Sequence, residues 1–371
     1  MRKPIAVLLA LCVLLALCVL AALAAGACAA GTTLRTFTPF ADTDFAAQCY
    51  MDLITAWEAE SGNLAEDYSG PADEGWLSQL GEQLAAGAAD VVVLPMVPQL
   101  TGAQLVTADE LLAAAPESGA KRFASLAQAD GTVLLAPLRL NWEALYVNTD
   151  VLARYGLSAP QTFEELLAAC ALLSQAGVVP IANALCEWPE VVLDCAALAG
   201  APQAAYGTQA SLDGAKDVLT VLTQVGAFGS DPWNMTDADA QAAFLTGEAA
   251  MRIDTYELAA SVPEARQDSV VVVPMPAKDA QARTAVVGTP AFGVAITRAC
   301  WQDDARCEAA MSLVTRMLAE QGLITPAGGA LGRSIAQLTR GAQDCTGLLY
   351  DANPDGFDAW AESVVAALMS L

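Results

Sequence analysis

The side chains that could do chemistry here are carboxylates, amides and aromatics, because histidine is missing from all 371 residues. Its absence removes the usual general base near neutral pH, the Ser-His and Cys-His nucleophile pairs and the commonest metal ligand. Of ten cysteines, Cys12, Cys18 and Cys28 lie in the N-terminal stretch. The other seven, Cys49, Cys170, Cys186, Cys195, Cys300, Cys307 and Cys345, are odd in number and form no CxxC pair. Neither a zinc site nor a dense disulfide framework is indicated, and most of these thiols are expected to be small buried hydrophobes. Asp and Glu together number 42, which could supply a two-carboxylate hydrolase without histidine. Nothing, however, marks two of them as a matched acid and base. The same residue types can instead hold a ligand, amides and carboxylates on its polar groups and an aromatic face beside them. No metal or cofactor is called for.

One stretch concentrates these groups: RLNWEALYVNTDVLARYGLSAPQTFEELL, residues 139–167. Arg139, Asn141 and Trp142 stand just ahead of a strand, EALYVN, which leads into a short helix closed by Gly156. Thr162 and Glu165 then form a T-x-x-E capping box that opens a second helix. A new α/β lobe starts here. Upstream, Thr33 to Phe37 reads as a strand, a helix carries Phe45, Cys49, Leu53 and Trp57 on one face, and a second helix carries Leu77, Leu80 and Leu84. ADVVVLP is a continuous apolar run bounded by proline, the pattern of a buried parallel strand. Thr132 to Ala136 supplies a further strand that Pro137 is expected to end.

Downstream, GVVPIANAL, helices around residues 203–224, a helix from Thr236 to Gly247, and the strands AAMRI and SVVVVP continue the second lobe. VVGTPAFGVAIT, residues 286–297, reads as one strand interrupted by Pro290 and Gly293 that crosses back to the first lobe, and a long helix follows from about Asp303 to Gly322. Alternating strands and helices without a repeat or low-complexity tether argue for two α/β lobes joined by short extended crossings.

The N-terminus sets the compartment. Arg2 and Lys3 precede an uncharged apolar run from Ile5 to Leu23, and LAALAAGACAA supplies small residues after it, the layout of an export signal. An uncleaved anchor is the competing reading, since the run approaches spanning length. Ala25-Gly26-Ala27 before Cys28 resembles a bacterial lipobox whose leucine is replaced by Ala25. Lipidation of Cys28 would hold the protein on a membrane surface, each buried CH₂ contributing about 0.8 kcal/mol. The formal charge is −25, and only Lys3, Lys121, Lys216 and Lys278 are lysines. With no basic stripe to neutralise phosphates, nucleic acid is not an expected partner.

Several motifs arrive in a familiar order: ITAWEAESGN, LAAGAADVVVLP, LYVNTDVLARYGLSAPQTFEEL, GVVPIANAL and AAFLTGEAAMRID. Together they resemble the extracellular solute-binding proteins of ABC importers, of the kind that includes maltose and oligosaccharide binders. The resemblance implies a two-lobe periplasmic-binding-protein-like fold of type II. In that fold each lobe is a mostly parallel sheet flanked by helices, with the ligand cleft between the lobes. It divides the chain into a signal peptide and lipobox, residues 1–28; an N-terminal lobe, residues 32–138 and 289–330; and a C-terminal lobe, residues 139–288 and 331–371. It further implies capture of an extracellular solute by lobe closure, delivery to ABC permease subunits, and no enzymatic activity. The expected protein is a monomer on the extracellular face of the cytoplasmic membrane, lipid-anchored, or else periplasmic or secreted.

The cleft walls follow from the same resemblance. On the crossing segment, Arg139, Asn141 and Trp142 face the ligand; Trp142 fits an interlobe core position as well, and Arg139 either locks an acid across the cleft or balances charge at the hinge. The first lobe would contribute Phe40, Asp42, Asp44, Asp73, Glu74 and Met96, with Trp76 alternatively the first buried residue of its helix. The second would contribute Glu187 and Trp188 as an aromatic platform, Trp233, and Asp254 and Tyr256 beyond a strand end, where Asp254 could instead cap a helix. An oligosaccharide or other carbohydrate is the leading cargo. A cation such as a polyamine, held by charge and cation–π contact, is the alternative, and the two-carboxylate hydrolase stands behind both.

Overall fold

A computed structural model describes residues 31–41, 44, 46–71, 73–95, 104–114, 132–187, 189–204, 208–279, 286–319, 327–344 and 349–350. The first lobe opens with β1 (Thr33–Phe37), α1 (Ala46–Ser61), β2 (Leu64–Asp67), α2 (Glu74–Ala85), β3 (Val91–Pro95) and α3 (Ala108–Ala114). The chain then crosses on β4 (Ala136–Asn148) into α4 (Thr149–Ala153), α5 (Phe163–Gln175), β5 (Val179–Ile181), α6 (Glu190–Gly200), α7 (Gln209–Gln224), α8 (Asp237–Thr246), β6 (Ala249–Thr255), α9 (Leu258–Ser261) and β7 (Val270–Val273). It returns on β8 (Val286–Ile296) to α10 (Arg298–Trp301) and α11 (Asp304–Ala319), and α12 (Gly329–Asp344) and β9 (Leu349–Tyr350) follow.

The strands lie in the order β2-β1-β3-β8-β4-β6-β5, with β7 on β4 and β9 on β8. β1 pairs in parallel with β2 and β3, and β5 in parallel with β6; antiparallel pairing is concentrated around the two long crossing strands. β8 gives its second half to β3, from Val91↔Ile296 to Pro95↔Phe292, while β4 gives its second half to β6 and β7. Where β4 and β8 run beside each other, from Ala136↔Val294 to Glu143↔Val287, they tie the lobes together.

The period of two along a strand sorts each lobe's core into two layers. In β3, Val91 and Val93 pack toward Tyr50 and Trp57 of α1 and Leu313 of α11, while Val92 and Leu94 pack toward Trp76 and Leu80 of α2. In β4, Leu145 and Val147 face α5, α6 and α7, while Trp142, Ala144 and Tyr146 face Phe244, Tyr256 and α12. Both faces are covered, which is why β3 reads as an unbroken apolar run.

Two sequence expectations change here. Residues 132–135 are irregular and the strand begins at Ala136, running on through Pro137 as one element with EALYVN. Pairing shifts register between Pro137 and Arg139 and again between Arg139 and Leu140, so the missing proline N–H falls at a bulge and costs no ladder bond. β8 likewise runs unbroken through Pro290, opposite Leu140 at the same irregularity. The strand β2 had no apolar pattern to announce it, since its residues are LAED.

Candidate functional site

The bulge in β4 turns Arg139 into the middle of the crossing. Its guanidinium is buried, 5% exposed, and forms an ion pair at 2.9 Å with Asp44, ahead of α1 in the first lobe. It also donates to the hydroxyl of Tyr256, which follows β6 in the second lobe. The guanidinium carbon lies 4.8 Å from the Tyr256 ring centroid and 5.3 Å from that of Phe292 on β8. Burial pulls the guanidinium pKa below its ordinary value, against the opposing pull of Asp44. Asp44 divides its oxygens: Oδ2 accepts from Arg139 and Oδ1 accepts the backbone N–H of Ala46, the first residue of α1. One cation thus bridges the first lobe, the crossing and the second lobe.

Aromatic rings surround it. Phe40, 1% exposed, meets Phe292 edge-on at 5.9 Å. Trp142, also 1% exposed, lies 6.1 Å from both Tyr146 and Tyr256, and the Tyr256 N–H donates to the Trp142 carbonyl at 2.9 Å. The Trp142 indole is therefore covered, and its Nε1 is buried without a hydrogen-bond partner. Asn141, beside it in β4 and paired with Thr289, is exposed. Phe40, Asp44, Arg139, Trp142 and Tyr256 are the residues read from the sequence that come together here.

Others take local structural roles. Asp73 is the N-cap of α2, accepting the Trp76 N–H at 2.8 Å, and Glu74 sits exposed in the first turn. Trp76 is buried and donates its indole N–H to the Tyr68 carbonyl at 3.0 Å. Glu187 is exposed and accepts the N–H of Asp237 at the start of α8, at 2.6 Å. Trp233 is half-buried against the core of the second lobe. Asp254, 3% exposed, caps no helix: it forms an ion pair with Arg252 at 2.5 Å and accepts the Thr255 N–H at 2.7 Å. Burial raises its carboxyl pKa, which Arg252 partly offsets. Cys28, Asp42, Met96 and Trp188 lie outside the described residues.

The sequence reading missed Phe292 and a group of acids on the other face of β4. Glu143 points toward α6, where Glu190 and Asp194 lie, and Asp254 adds a fourth carboxylate. A glutamate between Trp142 and Ala144, on the strand face that carries Leu145 and Val147, was the available signal. In the first lobe Asp67, the last residue of β2, gathers the hydroxyls of Thr36 at 2.8 Å, Ser69 at 2.8 Å and Tyr50 at 3.2 Å on one oxygen. Only the parallel pairing of β1 and β2 brings them together.

The fold recurs among solved structures. A probable secreted solute-binding lipoprotein from Streptomyces coelicolor is 18% identical, with a TM-score of 0.64 over 91% of this chain and 98% of that one. A family 1 extracellular solute-binding protein from Alicyclobacillus acidocaldarius is 14% identical, with a TM-score of 0.63 over 92% and 94%. The GacH receptor of Streptomyces glaucescens, solved unliganded and with acarbose, is 18% identical, with a TM-score of 0.56 over 92% and 94%. No match is found among curated proteins. The profile of one family covers residues 43–323, which is most of the chain. With that match and the shared two-lobe architecture, the chain belongs to the bacterial extracellular solute-binding proteins.

Proposed function

We propose that this protein captures a carbohydrate between its lobes and delivers it to an ABC permease without transforming it. The observation that carries the reading is the junction of Arg139 with Asp44 and Tyr256. A ligand there touches both lobes and the crossing at once, so it can favour one lobe arrangement over another, and differential affinity is all that closure requires. Exposed Asn141 and the carboxylates suit sugar hydroxyls, and the surrounding aromatics suit the apolar face of a sugar ring. The GacH receptor, which shares the fold, binds acarbose, and this supports a carbohydrate as the class to try first. Anchoring through a lipidated Cys28 at the outer face of the cytoplasmic membrane, as a monomer, completes the proposal.

The test is a thermal-shift screen of residues 29–371 against monosaccharides, oligosaccharides, polyamines and peptides. A ligand that binds only the folded state adds RT ln(1 + [L]/Kd), about 2.7 kcal/mol at a hundredfold excess over Kd. A shift confined to one sugar class, with the sugar recovered intact, is expected. Shifts with peptides alone, or conversion of the sugar, would contradict the proposal.

A further inference from the structure

We propose that the second-lobe side of the cleft takes a protonated amine of the solute, in a pocket bounded by Glu143, Glu190, Asp194 and Asp254. The inference rests on the carbohydrate reading and narrows it to an amine-bearing sugar. Glu143 lies two residues past the exposed Asn141, on β4 where that strand enters the second lobe, and it is paired with Thr255 at the end of β6. Glu190 opens α6, which packs on β4, β6 and β8. Glu143 Oε2 and Glu190 Oε2 are both fully buried and accept no hydrogen bond from the protein. A buried carboxylate oxygen without a donor is costly, and two of them on neighbouring elements call for donors from outside the chain.

The charge balance says what kind of donor. The groups around Glu143 are Asp254 with Arg252 from β6, Glu190 and Asp194 with Cys195 from α6, and Val287 from β8. Arg252 is already committed, to Asp254 at 2.5 Å and Asp237 at 2.6 Å. Burial first, then the neighbouring carboxylates, raises the Glu143 carboxyl well above its usual range, and the same field together with burial raises the Cys195 thiol. A hydroxyl would satisfy an oxygen but leave the repulsion; an ammonium supplies up to three N–H donors and offsets the charge. Among the described residues no group of three or more His, Cys, Asp or Glu is placed to hold a metal ion.

The experiment is calorimetric titration of residues 29–371 with matched series: glucosamine, galactosamine, mannosamine and glucosamine oligomers, each against its hydroxyl and N-acetyl counterparts, with spermidine as an amine that is not a sugar. At least one amino sugar is expected to bind tenfold or more tighter than both counterparts. Its affinity should weaken as salt is added and fall at least tenfold in Glu143→Gln, which keeps shape and removes charge. Glu190→Gln should weaken it in the same direction, and serves as the reporter if the first variant does not fold. If the neutral member binds as well as the amine in every series, the amine pocket is overturned while the carbohydrate reading stands. Binding of spermidine with no sugar bound would uphold the pocket and overturn the carbohydrate reading; an absence of binding by any amine overturns the pocket.

Discussion

Arg139 shows how a single side chain can be asymmetric in what it costs to disturb. Asp44→Asn leaves a guanidinium that is 5% exposed to the weaker pull of Glu257, whereas Arg139→Met leaves a carboxylate whose side chain is 21% exposed and still accepts the Ala46 N–H. Removing one partner of a buried pair costs about 3–5 kcal/mol when the survivor stays buried, and less when water reaches it. Urea denaturation should therefore show Asp44→Asn to be the more destabilising of the two; the reverse order would mean that burial does not set the cost. Trp142→Ala should lower the stability of the unliganded protein by about 3–5 kcal/mol, the range for emptying a large buried site, because its ring is packed between Tyr146 and Tyr256. At this scale the sequence was legible as far as singling out Asp44, Arg139 and Tyr256, which the fold brings into contact. It was not legible where a side chain's role depends on which face of a strand it takes. Trp142 faces the core and Glu143 faces α6, and a bulge two residues earlier decides the register for both.

Elements were easier to read than residues, because periodicity and caps are local. The box at Thr162 forms as its T-x-x-E spacing implies: the Thr162 hydroxyl accepts the Glu165 N–H, and the Glu165 carboxylate accepts the Thr162 N–H. Thr162→Ala should cost about 1 kcal/mol in thermal or urea unfolding. Gly247 ends α8 with φ +86°, so Gly247→Ala should also destabilise, through backbone strain at a left-handed position. What the sequence hid was β2, whose polar residues lie at the sheet edge, and the continuity of β4, since a proline within a strand ordinarily argues for its end. One long-range tie has a pH signature. Arg298 on α10 grips both oxygens of Glu110 on α3, at 2.7 and 2.5 Å, and holds its pKa down at about 2 instead of 4.5. A depressed carboxylate stabilises the fold above its unfolded value and loses that contribution as pH falls from 4.5 toward 2. Both partners are more than a third exposed, so solvent screening keeps the effect modest. Glu110→Gln should flatten the stability profile in that window, and an unchanged slope would show that other carboxylates set it.

For the whole molecule, two antiparallel strands shared by both lobes join the halves of the sheet at the crossing. The division into two lobes was readable from strand and helix order, and the family from motifs in sequence order. The cleft's chemistry was not, because it depends on how β1 and β2 align and on which acids β4, β6 and α6 bring together. The formal charge of −25 favours solubility and repulsion from anionic surfaces. The central claim is that solute binds at the crossing, and Asn141 tests it with least disturbance: it is exposed, it lies between Arg139 and Glu143, and it is not part of the packed core. The measurement is calorimetric affinity of wild type and Asn141→Ala for the sugar that raises the melting temperature. The account predicts a loss of about tenfold, the order expected for one hydrogen bond to a buried ligand group, with the unliganded melting temperature unchanged. Equal affinity in the two proteins would place the sugar elsewhere and contradict it.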